Sequence, residues 1–235
     1  MRFLLLILLL SSCANQKFEG ESMVDEALSK KEYSEALDSC HRSLLKDPEN
    51  PYILIKMASI QRTLGDYVGA EASLLHATTK DTHFVAHKEL IRVYLAQKDT
   101  GKAQQLLTPL LEEKPNDPDL LTMMGVLKDS QGLYQEALDF FNRAQEAGAD
   151  RLSTDNNIAL TLAKLGHFDE AISHLQHALP QDNSNRTAFN LAAVLTMAGR
   201  DEEALNLLKA RISPFEAERS LEHIKGQYAA FIQKG

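Results

Sequence analysis

The segment LGHFDEA at residues 165–171 has close counterparts in LGDYVGA at 64–70 and QGLYQEA at 131–137. Each segment ends on an alanine, with an aromatic residue three positions before it and a glycine five positions before it. The alanine recurs along the chain with spacings of 34, 33, 34, 34 and 33 residues. Its six occurrences are Ala36, Ala70, Ala103, Ala137, Ala171 and Ala204. A period of this length, kept in register six times, indicates a row of similar structural units.

A second column has the chemistry of a turn. It contains Gly65, Gly132, Gly166 and Gly199, with Lys31 and Lys98 in the same place in the first and third units. Glycine accepts the positive φ at which a helix often ends, and the small alanine lets two helices pack closely. The pattern resembles the tetratricopeptide repeat, a helix-turn-helix unit of about 34 residues. We therefore predict an all-α superhelix of six hairpins over residues 21–213, closed by an amphipathic capping helix at 214–235.

The start of the chain is typical of a secreted protein. Met1-Arg2-Phe3 is followed by an apolar run at residues 4–10, which is too short to span a membrane. The run ends in LSSC at residues 10–13, which resembles the lipobox of bacterial lipoproteins. That resemblance implies removal of residues 1–12, acylation of Cys13 and a tether over 13–20, and Ala14 favours the periplasmic face of the outer membrane. The alternative is an ordinary signal peptide with a chance cysteine.

Composition and missing motifs argue against several functions. The formal net charge is −8 and no basic block is present, which disfavours nucleic-acid binding. The sequence has no phosphate-binding loop, nucleophile elbow or dinucleotide fingerprint, so we expect no catalysis, cofactor or small-molecule substrate. His83 and His87 could share a helix face as metal ligands, but we favour solvated polar residues. We interpret Cys40 as a small buried hydrophobe and not as a redox thiol.

Protein partners are the expected ligands, because the first helices of such arrays line a groove. Arg186, Asn190 and Asn157 could clamp a peptide carboxylate or backbone, although asparagine there also occurs without a clamp. Further groove candidates are aromatic, basic or apolar: Tyr52, Lys56, Arg62, Lys88, Arg92, Met123, Leu160, Phe189 and Met197. Such a groove suits an acidic-apolar segment of a partner. The alternative is a solvated face without a ligand.

The last two repeats indicate which family of tetratricopeptide proteins the chain resembles. NIAL at 157–160 with LGHFDEA at 165–171, and NLAAVL at 190–195 with AGR at 198–200, resemble the carboxy-terminal half of TadD. TadD is the tetratricopeptide lipoprotein of the tight-adherence (Flp) pilus. The resemblance implies a non-enzymatic outer-membrane scaffold for pilus assembly and secretion, which places or stabilises the secretin. The alternatives are a type IV pilus pilotin, a general envelope-assembly adaptor or, less favoured, an enzyme with a metal site at His83 and His87.

Overall fold

A computed structural model describes residues 23–78, 81–182 and 184–232, with side chains as far as residue 229. The predicted signal peptide at 1–12, the lipidation site Cys13 and the tether at 13–20 lie outside the described residues. Within the described ranges all regular structure is helical, with thirteen α-helices and one short 3-10 turn. The all-α prediction is therefore confirmed. None of the described helices combines the length and the apolar character that crossing a membrane requires.

The chain divides into two compact units, with the boundary between Leu110 and Leu111. The helices that begin in the first unit are α1 (residues 23–29), α2 (Tyr33–Leu44), α3 (Pro51–Thr63), α4 (Tyr67–Ala77), α5 (His83–Ala96) and α6 (Thr100–Glu113). Those of the second unit are α7 (Pro118–Ser130), α8 (Tyr134–Glu146), α9 (Arg151–Lys164), α10 (Phe168–Ala178), α11 (Arg186–Met197), α12 (Asp201–Lys209) and α13 (Pro214–Ile232). The 3-10 turn, Leu179–Gln181, follows α10.

Side-chain caps define the N-termini of two first helices, α3 and α7. The Asn50 side chain accepts hydrogen bonds from the backbone N–H groups of Tyr52 at 3.1 Å and Ile53 at 3.2 Å. Asp117 accepts one from the N–H of Leu120 at 2.9 Å. A proline follows each of these two caps, at the first helical position, where its missing N–H has no partner to lose. The start of α3 and the start of α7 are thus fixed by residues adjacent in sequence.

The turns within the hairpins use the predicted column. Gly65, Gly132, Gly166 and Gly199 adopt φ values of 83°, 77°, 85° and 75°, and Lys31 and Lys98 adopt 59° and 60°. The residue after the turn donates its N–H to a carbonyl five residues back, as Asp66 does to Gln61 at 2.8 Å. This is the Schellman arrangement that satisfies the free carbonyls of a helix end. The periodicity therefore locates the turns correctly, including the two that lack glycine.

The helices of each unit pack through their small residues. All six alanines of the repeat column are 0% exposed. In α7, a Cβ built on Gly125 would lie 2.5 Å from the ring of the buried Phe141, so only glycine fits there without displacement. Helix α13 packs on α11 and α12 and buries Ala217, Leu221 and Ile224 in the same core. It caps the last hairpin, as the sequence predicts.

Candidate partner-binding face

An apolar surface runs across the first helices of the second unit. Helices α7, α9 and α11 begin successive hairpins, and α9 contacts both α7 and α11. Their partly exposed apolar residues form what we call the apolar stripe: Val126, Leu160, Phe189, Ala193 and Met197. Phe189, Ala193 and Met197 are four residues apart, which places them on one face of α11. All five residues pack against the core at their base, so the stripe offers a supported apolar surface to a partner.

A chain of hydrogen bonds joins α9 to α11. Asn190 Nδ2 donates to Asn156 Oδ1 at 2.7 Å, and Asn156 Nδ2 donates to Thr187 Oγ1 at 3.0 Å. Asn156 also donates to the backbone carbonyl of Leu152 at 2.7 Å. Because Asn156 and Thr187 are buried, the bond between them forms where water cannot replace it. The amide groups hold the two helices in one register and thereby fix the spacing of the apolar stripe.

A similar polar contact joins α7 to α9. Thr161 Oγ1 donates to Asp129 Oδ1 at 2.9 Å, and the Lys164 ammonium pairs with the other oxygen of the same carboxylate. The ammonium also lies 5.7 Å from the centre of the Tyr134 ring. Each pair of neighbouring first helices in this unit therefore has a specific polar connection beside the apolar contacts. Such connections favour one alignment of the helices over its alternatives.

Asp182 organises the start of α11. Its carboxylate accepts hydrogen bonds from the backbone N–H groups of Ser184 and Thr187, both at 2.7 Å. Hydrogen bonds from Ser184, followed by the one from the Thr187 backbone, hold the pKa of Asp182 well below its ordinary value. A carboxylate at a helix start is stabilised by the free N–H groups there. The segment that brings Phe189 to the surface is thus anchored by an ionised side chain.

The predicted partner-binding residues of the second unit differ in their exposure and in their hydrogen bonds. Arg186 is exposed at the start of α11, and Phe189 and Asn190 are half-buried on the same helix. Asn157 is also half-buried, but Asn190 bonds to its neighbour Asn156, which was not among the predicted residues. Asn156 and Asn190 are 34 residues apart, so the repeat period contained a signal for this pair.

Met123 was wrongly placed in the groove. It is 5% exposed and belongs to the core. Leu120, Met124 and Leu127 are buried on the same helix, and Met123 lies within this buried face, three residues after Leu120 and four before Leu127. Val126, three residues further on, occupies the partly exposed position instead.

The basic candidates of the first unit are less free than the sequence predicts. Lys56 Nζ lies 2.8 Å from a carboxylate oxygen of Asp25 on α1. Arg92 pairs with Glu89 one turn earlier on α5. Lys88 lies 5.5 Å from the centre of the neighbouring Phe84 ring. Arg62 is half-buried at the end of α3. The predicted local excess of positive charge is therefore reduced by carboxylates of the same unit.

His83, His87 and Cys40 are the residues that were considered for metal or redox chemistry, and each packs against other residues of the first unit. The rings of His83 and His87 meet edge to face with centroids 5.9 Å apart. Burial, and then the charge of His83, lower the pKa of His87. In the part of the chain that the structure describes, no cluster of three or more His, Cys, Asp or Glu residues could hold a metal ion. Cys40 is fully buried, and this burial raises the pKa of its thiol to about 11.

Two stretches of the chain, residues 94–165 and 156–217, match family models described as tetratricopeptide repeat. Tetratricopeptide repeat protein 36 of Danio rerio is 32% identical over 130 residues, which cover 50% of this chain and 70% of that protein. The PsbD mRNA maturation factor Nac2, chloroplastic, of Chlamydomonas reinhardtii is 38% identical over 89 residues, or 37% of this chain. The match spans only 6% of the Nac2 protein.

Solved structures with the same fold cover most of the chain. PilW, described as a widely conserved type IV pilus biogenesis factor, has a TM-score of 0.69 and 14% identity. That match covers 88% of this chain and 97% of PilW. The APC/C hetero-tetramer Cut9-Hcn1 has a TM-score of 0.71 and 18% identity, covering 91% of this chain and 45% of the matched chain. At these identities the likeness shows the fold alone.

Proposed function

The chain is a tetratricopeptide-repeat protein, and we propose that it is a non-catalytic scaffold that binds a protein partner through the apolar stripe of its second unit. Proteins of this family generally mediate protein–protein interactions. The observation that carries the proposal is the stripe itself. Apolar side chains stay partly exposed on three adjacent helices, and buried amide contacts hold two of those helices in register.

We further propose where the scaffold acts. The lipobox at residues 10–13 supports acylation of Cys13 and attachment to the outer membrane, with the repeats facing the periplasm. The resemblance of residues 157–171 and 190–200 to TadD supports a role in assembly of the tight-adherence pilus, with the secretin as partner. A surface of half-buried apolar side chains with amide groups beside it suits an extended or helical segment of such a partner.

A second candidate is a type IV pilus pilotin. It is supported by the similarity to PilW, since the shared fold extends over 97% of that protein. Both candidates require a lipid anchor and a protein partner from a pilus or secretion machine. They differ in which machine supplies that partner, so partner identity separates them.

Site-specific photo-crosslinking in intact cells tests the binding face. A photoreactive amino acid replaces Phe189 in the apolar stripe, and the matched control carries it at Phe215, an exposed phenylalanine of the same unit outside the stripe. We expect one protein to be captured from position 189 and not from position 215. Equal capture at both positions, or none at either, would remove the stripe as the binding face.

Localisation tests the anchor. The Cys13→Ala variant should leave the outer-membrane fraction, while Cys40→Ala, at the second and buried cysteine, should stay there. In cells with Cys13→Ala we also expect less secretin in the outer membrane. A Cys13→Ala chain that still fractionates with the outer membrane would refute the lipid anchor.

A further inference from the structure

We propose that one edge of the first unit rests on the lipid surface to which Cys13 would be attached. This inference rests on the proposed lipid anchor. It concerns five large apolar side chains that the described part of this unit leaves exposed: Met23, Leu45, Tyr52, Leu75 and Val85. Two others, Leu64 and Val68, are also exposed but lie at the end of α3 and the beginning of α4, at the opposite edge. Leu45 is the most exposed of them, at 84%. Large side chains of this kind can be buried only by something outside the described residues of this unit.

The helix order brings these five residues to one edge. Helices α2, α3, α4 and α5 follow one another through short connections, and each contacts the next. Packed helices joined in this way alternate in direction. The same edge therefore contains the end of α2, the beginning of α3, the end of α4 and the beginning of α5. The beginning of α1 lies close to α3 as well, because Asp25 pairs with Lys56. Met23, Leu45, Tyr52, Leu75 and Val85 are located at or near these five ends in that order.

The tether leaves from the same edge. Nine residues, 14–22, separate Cys13 from Met23, so the start of α1 can be no more than about 35 Å from the acylated cysteine. With the acyl chains in the membrane, this length keeps the apolar edge within reach of the lipid. Attachment makes the docking effectively intramolecular, so weak apolar contacts are enough to hold the edge there.

The charges of this edge indicate the kind of surface it fits. Lys46, Asp47, Glu49 and Asp81 lie in the two connections beside the apolar residues, and Glu49 Oε1 lies 3.3 Å from Nε2 of His76. Both signs are present, and no basic cluster is found among the described residues of these connections. We therefore assign the edge to zwitterionic headgroups, where aliphatic side chains and the amphipathic Tyr52 ring enter the interface without electrostatic help. Its contact with lipid should depend little on salt.

Tryptophan fluorescence provides the test, because the chain contains no tryptophan. The full chain is produced in cells, purified with its anchor and reconstituted into phosphatidylcholine vesicles whose acyl chains carry bromine. The Leu45→Trp variant reports on the proposed edge. Its matched control is Leu64→Trp, at the end of α3 on the opposite edge, where the leucine is 52% exposed. We expect a blue shift and about twofold quenching for Leu45→Trp, and neither change for Leu64→Trp.

Flotation of the same vesicles separates the two proposals. A chain that floats with the vesicles while its Leu45→Trp emission is unquenched overturns the docking edge but keeps the anchor. A chain that does not float refutes the anchor and the docking edge together. Equal quenching at both positions also overturns the assignment to one edge. A blue shift that appears without vesicles and grows with protein concentration would replace the lipid surface by a second copy of the chain.

Discussion

Among the described glycines of the second unit, Gly125 is the one at which an added methyl group would enter the packed core. In the Gly125→Ala variant, the new Cβ would lie 2.5 Å from Cε1 and 2.6 Å from Cδ1 of Phe141. Ordinary contacts between carbon atoms are about 3.5–4.0 Å. Either the helix or the ring must therefore move by about 1 Å, and Phe141 is packed on all sides in the core.

The expected size follows from two opposing effects. Replacing glycine by alanine inside a helix stabilises a protein by about 1 kcal/mol. Overpacking of a filled core destabilises it by about 1–3 kcal/mol. Gly226 in α13 provides the matched control, because no atom lies within 4 Å of a Cβ built there. Since the helix preference is common to both changes, the difference between the two variants isolates the contact with Phe141, at about 1–3 kcal/mol.

Urea unfolding followed by circular dichroism measures this difference, with the native chain as reference. Gly226→Ala should be at least as stable as the native chain, and Gly125→Ala less stable than Gly226→Ala by the amount above. Phe141→Leu, made both in the native chain and in Gly125→Ala, completes a double-mutant cycle. In this cycle the smaller side chain at position 141 should reduce the loss of unfolding free energy caused by Gly125→Ala. Equal unfolding free energies for the two glycine variants, within about 0.5 kcal/mol, would refute the reasoning.

Three further outcomes follow from the described contacts. Asn156→Ala should lower the free energy of unfolding by about 1–3 kcal/mol, because it removes the donor to the buried Thr187 oxygen and the acceptor of the Asn190 amide. The adjacent Asn157→Ala should change it little, and equal effects in urea unfolding would contradict the assigned network. Asp182→Ala should cost about 1–2 kcal/mol at pH 7. Because the pKa of Asp182 is lowered in the folded chain, the stabilisation by its carboxylate is present above about pH 4 and is lost as the pH falls further. The difference in unfolding free energy between the native chain and Asp182→Ala should therefore narrow in acid. A difference that stays constant would contradict the role assigned to Asp182. Native Cys40, with its pKa raised to about 11, should react with iodoacetamide at pH 8 far more slowly than in urea, and mass spectrometry would detect rapid native alkylation if the burial were misassigned.

The turns and close packing of the fold could be predicted because they depend on local chemistry. A helix end with positive φ requires a residue at one position, and a close helix approach requires a small side chain at another. These requirements recur once in each unit, so repetition makes them visible in one sequence. Lys31 and Lys98 were located correctly by spacing alone, although neither is a residue that favours this conformation.

The orientation of side chains around each first helix was harder to predict. Met123 and Val126 are both apolar and three residues apart, yet the first is core and the second belongs to the stripe. Sequence gives the helix but not its rotation, which depends on the packing of both neighbouring helices. Because the rotation of α9 could not be predicted, Asn157 was predicted as the binding residue instead of Asn156. The repeat lengths of 33 and 34 residues both occur, and a change of one residue turns a side chain by about 100°.

Charge partners were also invisible in the sequence. Lys56 reads as part of a basic group, but Asp25, 31 residues earlier, lies on the neighbouring α1 and pairs with it. Contacts between helices of different repeats depend on tertiary packing. A count of local lysine and arginine residues therefore overestimates the positive potential of the surface.

The two lysine turns have a practical consequence. A residue with a Cβ is strained by about 1 kcal/mol in the left-handed conformation that Lys31 and Lys98 adopt, and glycine relieves this strain. Both lysines are exposed, and the structure assigns neither of them to the apolar stripe or the lipid-facing edge. Lys31→Gly and Lys98→Gly should therefore raise the free energy of unfolding while leaving both proposed contact surfaces unchanged. They are suitable substitutions for preparing a more stable protein for crystallisation or spectroscopy.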